Sequence, residues 1–187
     1  MKSLKMWLVA ILAVSGILCA EGVDIPVLWR NPAAEVQAGQ LQAFGFWENE
    51  SRVVLAFQIK ELPTMIETPK AYMSFYADAD DNLATGRYPN NLGWDFQINM
   101  ILTRKAVLSL LKYTDDATKA KELSRAGSKV ISQDDVLFVN LPKSALDGIE
   151  FKGNFKFRTL QLKNNQRVDK EKADGVFPVK FEIPSEN

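Results

Sequence analysis

Histidine is absent from this sequence of 187 residues, and cysteine occurs once, as Cys19. Without histidine the chain can build neither a Ser-His-Asp nor a Cys-His catalytic arrangement, and it lacks the usual ligand of zinc, copper and haem sites. Any catalysis would depend on carboxylates, lysine, tyrosine, serine or a metal held by oxygen. Because the sequence shows no complete set of catalytic residues, it predicts a protein that is not an enzyme.

The chain also lacks a surplus of positive charge. It contains 23 basic and 23 acidic residues, so its formal net charge is zero. A nucleic-acid-binding surface needs a basic excess that neutralises phosphates. No nucleic-acid partner is therefore expected.

A single long apolar run occurs, at the N-terminus. Lys2 and Lys5 precede it, and it extends from Met6 to Leu18. A short positive segment followed by an apolar core of this length predicts a signal peptide over residues 1–20. The run is too short for a membrane span of about 20 residues, so we expect no transmembrane span after cleavage. The prediction is an exported protein, periplasmic or extracellular.

Cys19 lies within this predicted leader. A lipoprotein would carry its lipid on such a cysteine, but the large Leu18 precedes it where a small residue is required, which disfavours lipidation. Cleavage after Ala20 leaves one domain over residues 21–187 without any cysteine. No disulfide can then stabilise it, although export would permit one. About 167 residues suffice for one domain with a substantial core.

Strand patterns dominate the mature sequence. The clearest follows Gly93, where apolar and polar residues alternate as in a strand with one buried face. We therefore expect Gln97 and Asn99 to face away from the core. The residues expected to face into it are Trp94, Phe96, Ile98 and Met100.

Six further segments are rich in β-branched and aromatic residues, which favour strands. These are residues 41–47, 52–60, 71–77, 136–142, 151–162 and 176–183, with a charged hairpin turn at 48–51. Seven or eight strands with little helix predict an all-β fold, an antiparallel β-sandwich of jelly-roll or immunoglobulin-like type, or else a barrel. At most one or two short helices are expected, one of them a single turn at residues 143–146.

Residues 104–126 fit no single pattern. The segment AVLSLLKY suits a strand or a short helix, and residues 115–125 have a helix-friendly composition that Gly127 could end. We expect a strand followed by a loop or one short helix.

One loop is notably acidic. Asp78, Asp80 and Asn82 alternate along it, and Asp95 lies at the start of the returning strand. Calcium takes six to eight oxygen ligands, which alternate acidic residues on a curved loop can supply. These four residues are the predicted metal ligands, with calcium as the predicted ion. The alternative is a structural turn, because Asp, Asn and Gly also favour turns without any metal.

Paired carboxylates also raise the question of catalysis. Asp95 with either Asp78 or Asp80 could form the acid and base of a glycosidase. Clustered acids in turns are far more often structural, so this alternative does not change the expectation of a non-catalytic protein.

A family resemblance appears at this loop. The run FYADADDNLATG followed by GWDFQI resembles the F-x-D-x-D-x-N-x-x-T-G … G-x-D-x-x-I stretch of exported bacterial β-sandwich domains. These are similar to family-9-like carbohydrate-binding modules and DOMON-type domains, and LPKSAL resembles a later strand of the group. The resemblance covers about a third of the chain and implies a β-sandwich that binds sugar or haem. The haem-binding members use methionine and histidine ligands, so no haem is expected here.

Sugar binding requires exposed aromatic rings near polar groups. Trp47, beside the charged turn, and Tyr88, on the acidic loop, are the candidate ligand-binding residues. The sequence thus predicts an exported non-catalytic binding module for carbohydrate or another extracytoplasmic ligand, with structural calcium. The alternative is a structural or interaction protein of the cell envelope without a small-molecule ligand. The sequence sets no oligomeric state.

Overall fold

The computed structural model describes residues 22–63, 71–86, 93–102, 107–113, 120–162 and 164–183. The predicted signal peptide lies outside these residues. No helix in the described part is long and apolar enough to cross a membrane. The strands of the described part are β1 (Gly22–Val23), β2 (Val27–Arg30), β3 (Leu41–Glu48), β4 (Arg52–Ile59), β5 (Ala71–Asp78), β6 (Phe96–Leu102), β7 (Val107–Tyr113), β8 (Ala120–Glu122), β9 (Lys129–Gln133), β10 (Val136–Pro142), β11 (Asn154–Thr159), β12 (Gln166–Asp169) and β13 (Phe181–Glu182).

These strands form two large antiparallel sheets and one small one. The five-stranded sheet has the order β2-β3-β4-β10-β9, and the six-stranded sheet has the order β12-β11-β5-β6-β7-β8. Strands β1 and β13 pair separately as a two-stranded sheet. The prediction of an all-β antiparallel sandwich is confirmed.

The core lies between the two large sheets. It is rich in phenylalanine, and the Phe44 ring of β3 lies 4.3 Å from the Phe157 ring of β11 and 5.5 Å from the Phe75 ring of β5. Aromatic contacts across the sheets add specific packing to the burial of large apolar surfaces. This core joins the two sheets into one sandwich.

The alternation predicted for β6 is largely confirmed. Phe96, Ile98 and Met100 are fully buried in the inter-sheet core. Gln97 and Asn99 lie on the opposite face, where both take part in hydrogen bonds.

Trp94 corrects the prediction. It is buried, at 4% exposed, but it is not part of the inter-sheet cluster, and its ring lies 5.9 Å from the ring of Tyr76. Residue Trp94 precedes β6 in the loop, so the strict alternation of the strand does not extend to it.

A second apolar cluster covers the outer face of the five-stranded sheet. Its strand members include Val54 and Ala56 of β4 and Phe138 of β10. The C-terminal segment lies over them, and the Phe181 ring is 5.3 Å from the Phe138 ring. We call residues 174–183 the C-terminal strap. Strands β4 and β10 are therefore buried on both faces, which explains their nearly continuous apolar sequences.

Three local predictions also have outcomes. The segment before Tyr113 forms strand β7, as expected, whereas residues 120–122 form strand β8 rather than a helix. The predicted helical turn is a 3₁₀ helix at Lys143–Leu146. The closing strand is confined to Phe181–Glu182, and the rest of the predicted strand contributes only the isolated bridge between Val176 and Pro26. Pro178 has no amide hydrogen to donate to a ladder.

Candidate functional site

The acidic loop joins β5 to β6. Asp78 ends β5 and Asp95 directly precedes β6, so the ladder between these strands brings the two ends of the loop together. Two glycines permit the close approach. A Cβ on Gly86 would lie 2.3 Å from the Trp94 carbonyl oxygen, and one on Gly93 would lie 2.8 Å from the Asn82 carbonyl oxygen. Both glycines also have positive φ, at 72° and 59°.

Three carboxylates converge at this junction. Asp78, Asp80 and Asp95 each offer an oxygen within 4.8 Å of the others. Oxygens that bind one calcium ion at 2.3–2.6 Å can be at most about 5 Å apart, so this spacing suits a shared ion. The structure thus brings together three of the four predicted metal ligands, and the binding of an ion by them stays a prediction. We call them the acidic cluster.

Backbone amides from the loop hold the acidic cluster in place. Asp78 Oδ1 accepts a hydrogen bond from the Asn82 amide at 3.0 Å, and Asp80 Oδ1 accepts one from the same amide at 3.1 Å. Asp95 Oδ2 accepts one from the Ala79 amide at 2.8 Å. The loop is therefore fixed by the same oxygens that a cation would use.

Burial changes how these carboxylates titrate. Burial is the largest cause that raises the pKa of Asp95, and the nearby charges of Asp80 and Asp78 act in the same direction. Against the hydrogen bond from Ala79, they raise this pKa to about 6. Burial likewise raises the pKa of Asp78. Concentrated negative charge out of water favours a proton or a cation.

Two lysines partly neutralise this charge, and the exposed Lys152 is the more distant, 4.0 Å from Asp80 Oδ2. Lys156 of β11 lies 3.3 Å from Asp78 Oδ2 and 2.5 Å from Asp81 Oδ1, and Arg167 of β12 lies 2.6 Å from Asp81 Oδ2. These cations are not among the site residues predicted from the sequence. The alternation in β11 does place Lys156 away from the core, but the pairing of β11 with β5 is a long-range contact that no local pattern reveals.

Asn82 has a different role from the three carboxylates. Its side-chain oxygen accepts a hydrogen bond from the Ala84 amide at 3.0 Å, and its amide nitrogen in the backbone donates to Asp78 and Asp80. It therefore organises the turn in the way that asparagine commonly does. Asn82 therefore positions the carboxylates of Asp78 and Asp80 through its backbone amide.

A cleft adjoins the acidic cluster. Its volume is about 410 Å³, and its polar lining includes Asp80, Asp95, Tyr113 and Glu150 together with Lys112 and Lys152. The cleft is lined by charges of both signs. Asp80 and Asp95 belong to the acidic cluster and also line the cleft. An ion held there would be reachable from solvent.

The two predicted ligand-binding aromatics lie apart from this arrangement. Trp47 belongs to β3 of the five-stranded sheet and packs, partly buried, against the second apolar cluster. Tyr88 lies outside the described residues.

An aromatic and polar surface is found instead on the outer face of the six-stranded sheet. Strand register places Tyr72, Ser74 and Tyr76 of β5 beside Ile101, Asn99 and Gln97 of β6, and Leu160 and Arg158 follow on the β11 side. We call these eight residues the outer face. Tyr72, Ile101 and Leu160 are its most exposed members, at 49%, 41% and 54%.

Hydrogen bonds fix the polar side chains of this outer face. The Tyr72 hydroxyl donates to Asn99 Oδ1 at 2.8 Å, and the Ser74 hydroxyl lies 2.6 Å from the same oxygen. Gln97 Nε2 donates to Asn99 Oδ1 at 2.8 Å and to the Tyr76 hydroxyl at 3.2 Å. The network holds the half-exposed Tyr72 ring in a defined position on a rigid sheet. This polar surface could have been predicted from the sequence, because its residues alternate with the apolar core residues along β5 and β6.

Comparison with known proteins identified no relative of this chain. No protein-family model, no curated protein and no solved structure matches this chain. The resemblance to family-9-like carbohydrate-binding modules and DOMON-type domains therefore stays a prediction from the loop motif.

Proposed function

We propose that this chain is an exported, non-catalytic binding module that takes carbohydrate on the outer face and holds structural calcium in the acidic cluster. The observation that carries the proposal is the half-exposed Tyr72 ring, anchored through its hydroxyl to Asn99 and Ser74. Sugars bind proteins by stacking their apolar faces on aromatic rings and by hydrogen bonds from their hydroxyls. An aromatic ring beside fixed amides and hydroxyls offers both contacts.

The position of the surface supports a recognition role. Most of the outer face lies on strands paired on both sides, so its side chains are held by the ladder rather than by mobile loops. The aromatic and amide groups are therefore preorganised, which lowers the entropy cost of binding a ligand.

The calcium part of the proposal rests on the spacing of the acidic cluster. Three carboxylates lie within 4.8 Å of one another. Among the ion pairs of the described residues, Lys156 pairs with Asp78 at 3.3 Å and the exposed Lys152 pairs with Asp80 at 4.0 Å, whereas Asp95 has no cation partner. A divalent ion would remove the remaining repulsion. It would also tie the end of β5 to the start of β6, which are the two strands at the centre of the outer face.

The carbohydrate proposal is tested with a glycan array on the mature protein. We expect binding that Tyr72→Ala weakens at least about tenfold, since truncating an aromatic contact residue typically costs more than 1 kcal/mol. Val176→Ala is the control, because Val176 is similarly exposed but belongs to the C-terminal strap. Equal binding by wild type and Tyr72→Ala, or no glycan bound by the wild type, would contradict the proposal.

The calcium proposal is tested by thermal unfolding in EDTA and in millimolar calcium. Calcium should raise the stability of the wild type by about 2.7 kcal/mol at a hundredfold excess over its dissociation constant. Asp80→Asn should abolish the increase, whereas Asp134→Asn, on an exposed turn outside the cluster, should retain it. No increase in the wild type would favour the alternative, in which the acidic turn serves only the fold.

Export is tested on the secreted product. The charged and apolar start of the sequence predicts removal of residues 1–20. N-terminal sequencing should therefore begin at Glu21 or within a few residues of it. Mature protein that still carries Met1 would rule out export through a cleaved signal peptide.

A further inference from the structure

The outer face carries a cation without a counter-ion in the described part of the chain. Arg158 lies opposite Tyr76 in the ladder between β11 and β5, and it is partly buried. Its neighbours Lys156 and Arg167 are both paired with carboxylates, on Asp78 and Asp81. No such ion pair is found for Arg158 among the described residues, so its guanidinium keeps its donors for a ligand.

Asn99 adds a second donor. Its side-chain oxygen accepts hydrogen bonds from Tyr72 and Gln97 and lies 2.6 Å from the Ser74 hydroxyl, which uses the acceptor side of the amide. Its amide nitrogen makes no hydrogen bond within the described residues. The groups that this surface offers to a ligand are thus N–H donors, one of them charged.

The spacing of these donors defines the size of the ligand. Asn99 and Arg158 lie on strands that flank β5, and their partners there, Ser74 and Tyr76, are two residues apart. Strand geometry then separates them by about 10 Å across the sheet and about 7 Å along it. A short oligosaccharide can contact both, with Tyr72 and Leu160 as apolar surfaces for its rings.

We infer that the ligand of the outer face is an acidic glycan, one that carries uronate carboxylates, bound through Arg158 and Asn99. The inference rests on the proposed carbohydrate function and narrows it to one chemical class. Arginine binds a carboxylate through two parallel hydrogen bonds, and burial strengthens this contact. Arg158 is the only charged group among the eight residues of the outer face, and Asp78, the next acid along β5, is paired with Lys156. This positive charge, unpaired within the described residues, favours an anionic sugar over a neutral one.

An acidic peptide fits the surface less well. Extended peptides usually add to the free edge of a sheet, whereas β5, β6 and β11 each have strand partners on both sides. The face therefore offers side chains but no free backbone groups. A ring-shaped ligand that lies flat on Tyr72 suits it better.

The test is calorimetric titration of the mature protein with oligogalacturonate, with its methyl ester and with hexaglutamate. We expect the acid form to bind at least about tenfold more tightly than the ester, since hydrogen bonds to charged groups are the stronger ones. Arg158→Gln should remove that difference, whereas Arg158→Lys should restore part of it. Lys172→Gln, which removes an exposed charge elsewhere, should leave binding unchanged.

Each opposite result has a distinct meaning. Equal binding of acid and ester that Tyr72→Ala still abolishes would overturn the acidic specificity and leave the carbohydrate function intact. Equal binding of hexaglutamate would show that the surface responds to charge alone and would overturn the glycan assignment. Unchanged binding by folded Arg158→Gln, verified by its circular dichroism spectrum, would overturn the role of Arg158.

Discussion

The two large sheets differ in what covers their outer surfaces. The five-stranded sheet has its outer face buried by the C-terminal strap, with Phe177 and Phe181 at 3% and 1% exposed. The six-stranded sheet bears an amide and hydroxyl network there, and Tyr72 and Leu160 are about half exposed. The apolar residues of the strap are buried and stabilise the fold. On the outer face of the six-stranded sheet Ser74 and Gln97 are buried within the network, whereas Tyr72, Ile101 and Leu160 stay exposed to solvent. We therefore propose that recognition takes place on the six-stranded sheet, over whose outer face no such strap lies within the described residues.

The largest effect is expected in the core that both sheets share. Phe96→Ala removes a fully buried ring and should lower the free energy of unfolding by about 3–5 kcal/mol. Denaturant titration followed by tryptophan fluorescence measures this loss. A loss below about 1 kcal/mol would show that β6 does not face the core as described.

The covered sheet can be tested at Gly45. A Cβ at this position on β3 would lie 2.3 Å from the Phe177 ring and 2.6 Å from the Pro26 carbonyl oxygen. Gly45→Ala should therefore cost about 1–3 kcal/mol of stability, as overpacking does elsewhere. Gly153→Ala is the matched control, because a Cβ there meets nothing within 4 Å.

The double variant sharpens this prediction. If the clash with the strap causes the loss, Gly45→Ala should cost less in a Phe177→Ala background, where one of its two close contacts is gone. Strictly additive losses would show that the strap does not press on Gly45.

A smaller effect concerns Asp95 at the end of the six-stranded sheet. Its raised pKa means that ionisation costs stability, and the cost develops between about pH 4 and pH 6 and is complete above pH 6. In EDTA, Asp95→Asn should stabilise the protein at pH 7.5 by an amount on the order of 1 kcal/mol, because partial exposure screens the charge. The gain should vanish at pH 3.5.

Calcium should reverse the sign of this substitution. With the ion bound, Asp95 contributes a ligand oxygen, so Asp95→Asn should destabilise the protein in millimolar calcium. Thermal unfolding at pH 7.5 with and without calcium measures both effects. A variant that is less stable than the wild type in EDTA would contradict the desolvation argument.

The smallest effect is expected at the centre of the proposed ligand surface. Tyr72→Ala removes a half-exposed ring, and surface changes of this kind usually alter stability by less than about 1 kcal/mol. The same denaturant titration used for Phe96→Ala provides the comparison. A loss of 3 kcal/mol or more would show that Tyr72 is structural, and its effect on binding would need another explanation.

The sequence predicted the six-stranded sheet better than the five-stranded one, for a physical reason. Strands with one solvated face alternate, and β6 shows this pattern from Phe96 to Met100. Strand β4 is buried on both faces, so its apolar run indicates a strand but not which residues face which layer. The covering strap could not be predicted either, since β1 and β13 pair across nearly the whole chain.

The residues of the candidate site also fall into two groups, those that the sequence predicted and those that only the fold brings together. The carboxylates of the acidic cluster lie close together in the sequence and were predicted, because a loop between adjacent strands returns to its starting point. Lys156 and Arg158 come from β11, and only the fold brings them beside β5. Trp47 was chosen for its charged neighbours in the sequence, but in the fold it packs against the second apolar cluster.

The pairing of β1 with β13 has a mechanical consequence. Gly22 lies opposite Glu182, so the two ends of the described chain leave the domain side by side. The segments continue antiparallel inward, through the Pro26–Val176 bridge to the hydrogen bonds of Val27 with Gly175 and Asp174. Tension applied at both ends would load these bonds one after another, as in a zipper, rather than all together in shear. The domain would therefore yield first by peeling off its strap at low force, while the sandwich that carries the outer face stays folded.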